Sequence, residues 1–419
     1  MSRTESHRRK HQGVSLVVQK FGGTSVADPD RIRAVADHVA RTRRQGQDVV
    51  VVVSAMGKTT DELIRLANDV CPAPAGREMD MLLTAGERIS MALLCMAIEA
   101  NGVAAASFTG SQAGIVTDTT HGRARILEVR GDRLRDAVAA GRVAVVAGFQ
   151  GVSTERDVTT LGRGGSDTTA VALAAVLKAD VCEIYTDVAG VFTADPRVVH
   201  RARRLDAVSY EEMQEMAATG GRVLALRSVE FARNHGVVLH VRSSFTWERG
   251  TWVNEEGAVE QAIVSGVTHD TSEAKVTVAE VPDQPGIAAR LFGALADDDV
   301  NVDMIVQNTS TGGTTDISFT VPRADLAAAM HVSEALGPQI GAKNVTHDAE
   351  IGRVSIVGAG MKTNPGVAAR MFKVLADEGV NIEMISTSSI RISCVVRARD
   401  VEKAVRALHA DFELDQSQS

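Results

Sequence analysis

An apolar strand runs straight into a lysine and a glycine pair in Val17-Val18-Gln19-Lys20-Phe21-Gly22-Gly23-Thr24-Ser25-Val26. This sets one positive charge beside bare backbone amides, the groups that bind the terminal phosphates of a nucleotide. The pattern is not the Walker one, because no GxxxxGK[ST] follows a strand anywhere in the chain. Alone it reads equally as a strand and a tight turn. A second stretch runs from Thr159 to Ala170, through Gly162-Arg163-Gly164-Gly165-Ser166-Asp167, and leads directly into the apolar run Val171 to Leu177. A glycine-rich loop opening a helix aims several N–H donors and the positive end of the helix dipole at one point, where an anion is stabilised. Ser166 or Asp167 would serve equally as plain N-caps. Two such loops, with a lysine and an arginine beside them, point to phosphate chemistry.

The elements that must hold these loops are legible from Ser15 to about Ser244. Val49 to Val53, Val143 to Ala147, Cys182 to Tyr185 and Val237 to Val241 are short apolar runs of the kind expected in strands buried on both faces. Helical patterns lie between them. In the first, Asp28 caps, Pro29 suits the first turn, and Ile32, Val35, Ala36 and Val39 share one face. Such alternation predicts a mostly parallel sheet with helices on both sides and a ligand crevice at the carboxyl ends of the strands. The polar, glycine-punctuated segment Trp247 to Gly257 is expected to be a junction outside any core.

An internal repeat follows. Pro285-Gly286-Ile287-Ala288-Ala289-Arg290 recurs as Pro365-Gly366-Val367-Ala368-Ala369-Arg370, and Asn301-Val302-Asp303-Met304-Ile305 as Asn381-Ile382-Glu383-Met384-Ile385, both at an offset of 80 residues. A strand, a Pro-Gly turn, an amphipathic helix and further strands in each unit give a βαββαβ module of the ACT type.

Composition bounds the function. The 419 residues suffice for two to four domains, and 44% hydrophobic with 23% charged residues describes an ordinary globular chain. With aromatics at 3%, Ala, Val, Leu, Ile and Met must fill the interior. A formal charge of −8 without a broad basic stripe argues against a nucleic-acid surface. Cys71, Cys95, Cys182 and Cys394 are scattered, with no CxxC, and are expected as reduced thiols of a cytoplasmic protein, not zinc ligands or disulfides. Residues 1–14 are basic and polar with no apolar segment behind them, and read as a disordered leader. No run approaches the ~18 consecutive apolar residues of a spanning helix, so no membrane partner is expected.

Lys20 to Val26, Ser54-Ala55-Met56-Gly57, Leu83-Thr84-Ala85-Gly86-Glu87-Arg88, Gly162 to Thr169, Tyr185-Thr186-Asp187-Val188, Thr193-Ala194-Asp195-Pro196-Arg197 and the two ACT-like repeats occur in the order of one family. Over about residues 16–410 the chain resembles the aspartate kinases, of the actinobacterial, lysine- and threonine-sensitive type. The resemblance implies an α/β fold: an amino-acid-kinase three-layer α/β/α sandwich with a mostly parallel sheet, followed by two ferredoxin-like ACT units. The division expected is a catalytic domain over 15–246, a junction over 247–264, ACT units over 265–345 and 346–411, and a tail over 412–419.

The implied reaction is transfer of the ATP γ-phosphoryl group to the side-chain carboxylate of L-aspartate, the first step toward lysine, threonine and methionine. Mg²⁺ would be held mainly by the ATP phosphates, with no dedicated protein metal site. Carried over by resemblance, Lys20 bridges the β/γ-phosphates and Asp167 organises the lysine and the reacting groups. Gly22, Gly23 and Gly165 bring amides to the phosphates, and Thr186, Asp187, Phe192, Arg197 and Arg222 attend the nucleotide. Arg163 clamps the α-carboxylate of aspartate and Glu87 meets its α-ammonium, while Ser54, Thr60 and Ser166 line the pocket. Without the resemblance, Glu87 would read as a solvated helix residue, Arg163 as a paired loop charge, and Ser54 and Thr60 as turn formers. Asp283, Gly286, Ala288, Gln307, Asn381, Ile382 and Ser388 match positions associated with lysine and threonine effectors between ACT units.

Three departures stand out. Gly221-Arg222 replaces the family's usual Ala-Lys or Ser-Lys, Phe192 replaces a frequent tyrosine, and Ser389 stands where this type usually has Glu. Thr251 to Val267 contains no methionine, so the separate regulatory subunit that many relatives start at an internal Met is not expected. A homo-oligomer through ACT pairing is the simpler expectation. Three alternatives stay open at this stage: a pathway-specific paralogue with relaxed feedback, a kinase of the same fold acting on another acid, and a catalytically silent amino-acid sensor.

Overall fold

The computed structural model describes residues 15–416 apart from 73, 258–262, 310 and 311. The leader expected over 1–14 lies outside the described residues. By internal packing the chain divides into two units, residues up to 191 with 204–217 and 222–259 in the first, and 192–203, 218–221 and 260 onward in the second.

In the first unit the elements run β1 (Leu16–Phe21), α1 (Pro29–Arg44), β2 (Asp48–Val53), α2 (Thr59–Val70), α3 (Gly76–Ala100), β3 (Ala105–Phe108), β4 (Ile115–Thr117), β5 (Ile126–Val129), α4 (Asp132–Ala139) and β6 (Val143–Ala147). They continue with β7 (Gln150–Ser153), β8 (Val158–Thr160), α5 (Gly165–Leu177), β9 (Val181–Thr186), β10 (Ala207–Ser209), α6 (Tyr210–Ala218), α7 (Leu226–His235), β11 (Leu239–Ser243) and β12 (Thr251–Asn254). The main sheet has the order β10-β12-β11-β9-β1-β2-β6-β3, and every pair in it is parallel except β11 with β12. Alternate residues explain its two covers. Val17, Phe21, Val49, Val51, Val53, Val143, Val145 and Ala147 form one core with α1 and α3. The intervening positions, including Lys20, project to the opposite face, where α5 packs on β1, β2 and β9. Asp28 caps α1 through Arg31 N–H at 2.9 Å, and Ile32, Val35, Ala36 and Val39 are buried, as the helical spacing predicts. A small sheet of order β5-β4-β7-β8, too short-stranded to read in the sequence, is built from strands that lie between β3 and α5 in the chain.

One sequence expectation is corrected here. The junction expected over 247–264 contains β12, whose Thr251 and Val253 are fully buried. Trp252 and Asn254 alternate outward, and a Cβ at Gly250 would fall 1.7 Å from the Val241 carbonyl, so the glycine marks a tight strand crossing. Helix α3 is, by length and composition alone, apolar enough to cross a bilayer. A search for an unbroken apolar run misses it because Glu87 and Arg88 interrupt the sequence; Leu83, Leu94 and Ile98 on it are core.

In the second unit β13 (Gly266–Asp270) precedes β14 (Glu273–Pro282), α8 (Ile287–Asp297), β15 (Ile305–Thr309), β16 (Thr314–Pro322), α9 (Leu326–Leu336) and β17 (Asn344–Asp348). Then come β18 (Ile351–Val357), α10 (Val367–Asp377), β19 (Met384–Thr387), β20 (Arg391–Arg397) and α11 (Val401–Asp411). The two sheets have the orders β15-β16-β14-β17 and β13-β18-β20-β19. The strand 266–270, assigned in sequence to the first repeat, therefore completes the sheet of the second, and the first repeat is an insertion within the second. Gly286 and Gly366 open α8 and α10 with φ of 95° and 96°, which keeps the two Pro-Gly turns superimposable.

The repeats exchange charges. Arg353 of β18 pairs with Asp303 of the first repeat and, at 2.7 Å, with Glu273 of β14; Lys275 of β14 pairs with Glu383 of the second at 2.5 Å. Asp303 and Glu383 occupy equivalent repeat positions, as do Met304 and Met384, which share a small core with Ile351 and Val395.

Candidate active site

Lys20 lies near the carboxyl end of β1 on the α5 side of the sheet, and its ammonium is 2.6 Å from Asp167, with 11% of each side chain exposed. Asp167 belongs to the first turn of α5, where the helix dipole favours a carboxylate. The helix is capped by Gly164 in the left-handed conformation and by no side chain. The alternative of a plain N-cap at Ser166 or Asp167 is thus not taken: the glycine turns the chain, and the carboxylate goes to the lysine.

Beyond Lys20, Gly22 N–H donates to the Tyr185 carbonyl at 3.2 Å and Gly57 N–H to the Gly23 carbonyl at 3.0 Å. A Cβ on Gly23 would meet the Ala55 carbonyl at 2.9 Å, so the first glycine turn lies directly against the Ser54–Gly57 turn that follows β2. Helix α3 closes on the same turn: a Cβ on Gly86 would meet Ala55 Cβ at 2.7 Å, and Ala55 N–H donates to Glu87 Oε1 at 3.0 Å. Glu87 is buried, and burial pushes its carboxyl up to about 7, against the pull of its backbone hydrogen bonds. Its Oε2 is buried without a hydrogen-bond partner among the described residues. Ser54 and Thr60, half-buried, stand at the end of β2 and in the first turn of α2. Ser166 follows α5's first residue, and a Cβ on Gly148 would meet its Oγ at 2.8 Å.

Arg163 is flanked by Gly162 and Gly164, with φ of 76° and 73°. Its exposed guanidinium makes no ion pair or hydrogen bond among the described residues. Two residues that sequence reasoning missed hold this loop. Asp80, fully buried in α3, accepts from Thr160 Oγ1 at 2.5 Å, His121 Nδ1 at 2.8 Å and Gly122 N–H at 3.1 Å. Arg227 of α7 donates to the carbonyls of Leu161 and Ala124 at 3.1 and 3.0 Å. The available signal for Asp80 was an acid between Met79 and Met81 in a largely apolar helix; for Arg227 there was none.

The nucleotide residues divide. Thr186 ends β9, its hydroxyl 3.1 Å from the exposed Asp187, and exposed Arg222 lies between α6 and α7, all in the first unit with Lys20. Phe192 and Arg197 pack with the second unit, where Arg197 clamps Asp195 at 2.7 Å and holds that carboxyl below its usual range. Of the effector positions, Asp283, Gly286 and Ala288 occupy the turn and first helical residues after β14, and Gln307 is on β15. Asn381 and Ile382 precede β19, and Ser388 follows it.

The amino acid kinase family model matches residues 15–243, and the ACT domain model matches 276–335 and 354–412. Over 407 residues the chain is 58% identical to the aspartokinase of Mycolicibacterium smegmatis, across 96% of this chain and 97% of that one. The chain belongs to the aspartokinase family. Among solved aspartokinases, Escherichia coli aspartokinase III in complex with aspartate and ADP, in its R-state, aligns with a TM-score of 0.83 at 26% identity, over 95% of this chain and 99% of that one. The same E. coli protein with lysine and aspartate, in its T-state, gives 0.72 at 27% identity over the same shares. As an aspartate kinase, this chain has the amino-acid-kinase α/β architecture followed by ACT domains that its sequence resemblance implies.

Proposed function

We propose that this aspartate kinase transfers the γ-phosphoryl group of ATP to the side-chain carboxylate of L-aspartate at the cluster built on Lys20, Asp167 and Glu87. The bond from a carboxylate oxygen to the γ-phosphorus forms as the bond to the β-phosphate oxygen breaks, leaving 4-phospho-L-aspartate and ADP. The observation that carries the reading is the Lys20–Asp167 pair at 2.6 Å beside glycine turns too close-packed to admit a Cβ.

The chemistry suits that cluster. A carboxylate with pKa near ~4 is already ionised at neutral pH, so no general base is required. The difficulty is bringing two anions together, and a preorganised cation with backbone amides lowers it. Lys20 neutralises charge on the transferring group, and Asp167 holds the ammonium in place before ligand arrives. By resemblance Gly22, Gly23 and Gly165 border the phosphate chain, although the N–H groups of Gly22 and Gly165 here donate to the Tyr185 and Gly162 carbonyls; the Mg²⁺ of that chain would supply further charge neutralisation. Thr186, Asp187 and Arg222 attend the nucleotide in this reading, with Phe192 and Arg197 assigned there by resemblance. Glu87, with one oxygen unpartnered, takes the α-ammonium of aspartate; Arg163, without an internal partner, takes the α-carboxylate, with Ser54, Thr60 and Ser166 around them.

Feedback by lysine, threonine or both through the ACT units belongs to the same proposal. It is supported by the paired repeats and by the lysine complex of the E. coli relative. Pairing of chains through the ACT edge strands β15 and β19, with Ile305 and Ile385 about half exposed, completes it. Incubating the protein with Mg-ATP and aspartate and trapping acyl phosphate as the hydroxamate tests the reaction. Hydroxamate is expected with aspartate and not with N-acetylglutamate, and its absence in both overturns the reading. The same assay with lysine, threonine and the two together tests the regulation.

A further inference from the structure

The Arg163 side chain is exposed and has no partner among the described residues, so the backbone that carries it sets where its guanidinium can reach. That backbone is wedged. A Cβ on Gly162 would lie 3.1 Å from the Gly122 carbonyl, and one on Gly164 would lie 2.3 Å from Ala225 Cβ, so the loop runs between the 122–124 segment and the start of α7. Arg227 crosses this wedge and ties its parts together: Nη1 donates to the Leu161 carbonyl, immediately before the loop, and Nη2 to the Ala124 carbonyl on the facing segment. The peptide groups beside those carbonyls are held as well, since Leu161 N–H donates to Phe149 and Ala124 N–H to Thr160, each at 2.8 Å. A charge is not buried here without reason. Half-burial disfavours the guanidinium, and two neutral carbonyls with no carboxylate are its hydrogen-bond partners. Only a planar fork spans both acceptors at once.

We propose that Arg227 is a positioning residue for aspartate binding: it touches neither substrate and sets the pose of Arg163 by locking the glycine loop at Leu161 and Ala124. The inference rests on the reading of Arg163 as the clamp for the α-carboxylate. A residue that merely glued three segments together would change the amount of folded enzyme. One that aims the clamp changes the affinity for one substrate, because a displacement of about 1 Å in a binding group is enough to weaken its contact severely.

The test is steady-state kinetics on the full chain with Arg227→Met, Arg227→Lys, Arg163→Ala and the double variant Arg163→Ala/Arg227→Met, with folding checked by circular dichroism and thermal melting. Arg227→Met is expected to raise KM for aspartate about tenfold while kcat and KM for ATP stay within about threefold. Arg227→Lys, able to reach one carbonyl, recovers part of the loss. Arg163→Ala raises KM for aspartate at least as much, and the double variant is no worse than Arg163→Ala alone, since the second residue acts through the first. Unchanged aspartate KM with kcat reduced in step with the folded fraction overturns the inference, as does full additivity in the double variant. If Arg163→Ala itself leaves aspartate KM unchanged, the clamp reading falls and takes the inference with it; if only the Arg227 variants are silent, the clamp stands alone. Should Arg227→Met not fold, Arg227→Lys carries the same comparison.

Discussion

Lys20 and Asp167 hold each other at 2.6 Å with little of either side chain in water, so each is oriented before a ligand arrives. Replacing the ammonium with an apolar chain of similar length removes the charge and spares most of the packing. Lys20→Met is expected to lower kcat by about 10²–10³-fold, the usual scale for one lost preorganised electrostatic contact, and to lower the melting temperature as well, because Asp167 stays buried without its cation. Glu87 makes a second, pH-dependent statement. Burial raises its folded pKa to about 7, above the ~4.3 of an exposed glutamate, so the folded chain keeps a proton that the unfolded chain releases between those values. Its burial therefore costs more stability as pH climbs through that window. Glu87→Gln is expected to raise the melting temperature at pH 8, with the gain shrinking toward pH 5. In its proposed role the carboxylate is the binding form, so KM for aspartate falls as pH rises toward 7, and Glu87→Gln loses that dependence along with tight binding. Lys20, Gly22, Gly23 and Asp167 were legible because their signal is a contiguous pattern; the burial of Glu87 was not, because desolvation comes from the 54–57 turn more than 30 positions away in the chain.

At the level of elements, the glycine turns separate two demands that the sequence merges. Gly164 needs both a left-handed backbone and room beside Ala225, whereas Gly236, at the end of α7 with φ of 64°, has nothing within 4 Å of a built Cβ. Gly236→Ala is expected to cost only the backbone term, about 1 kcal/mol. Gly164→Ala adds a clash that must move α7 or the loop, and is expected to cost about 2–4 kcal/mol and to raise KM for aspartate. Urea denaturation of both variants checks the order. The strands of the central sheet read correctly in the sequence because burial on both faces makes them unbroken apolar runs. Strand β12 did not, since it is short, its buried Thr251 is polar and glycines and charges flank it, so it imitates a linker although it pairs between β10 and β11.

For the whole molecule, the second unit is closed by reciprocal ion pairs between its repeats. Arg353 is 2% exposed and is partnered by Glu273, Asp303 and the Ala218 carbonyl. Burial holds the Glu273 carboxyl above its usual range despite the arginine, and Asp303 and Asp270 push in the same direction. Removing Arg353 leaves that carboxyl buried without its cation, which costs about 3–5 kcal/mol if it stays ionised. Protonation relieves part of the penalty, so Arg353→Met is expected to destabilise the second unit more at pH 8 than at pH 6, measured by urea denaturation at both. What the sequence by itself determined is what short-range pattern and exact repetition encode: the alternating α/β unit, the two glycine loops with their lysine and aspartate, and the duplicated module. Only the tertiary structure decided that the strand 266–270 joins the sheet of the second repeat, that Phe192 and Arg197 pack with the ACT unit, and that Asp80 and Arg227 brace the glycine loop. Strand pairing, desolvation and hydrogen bonds to backbone carbonyls join residues far apart in the chain, and these partners leave no local periodicity from which they could be read.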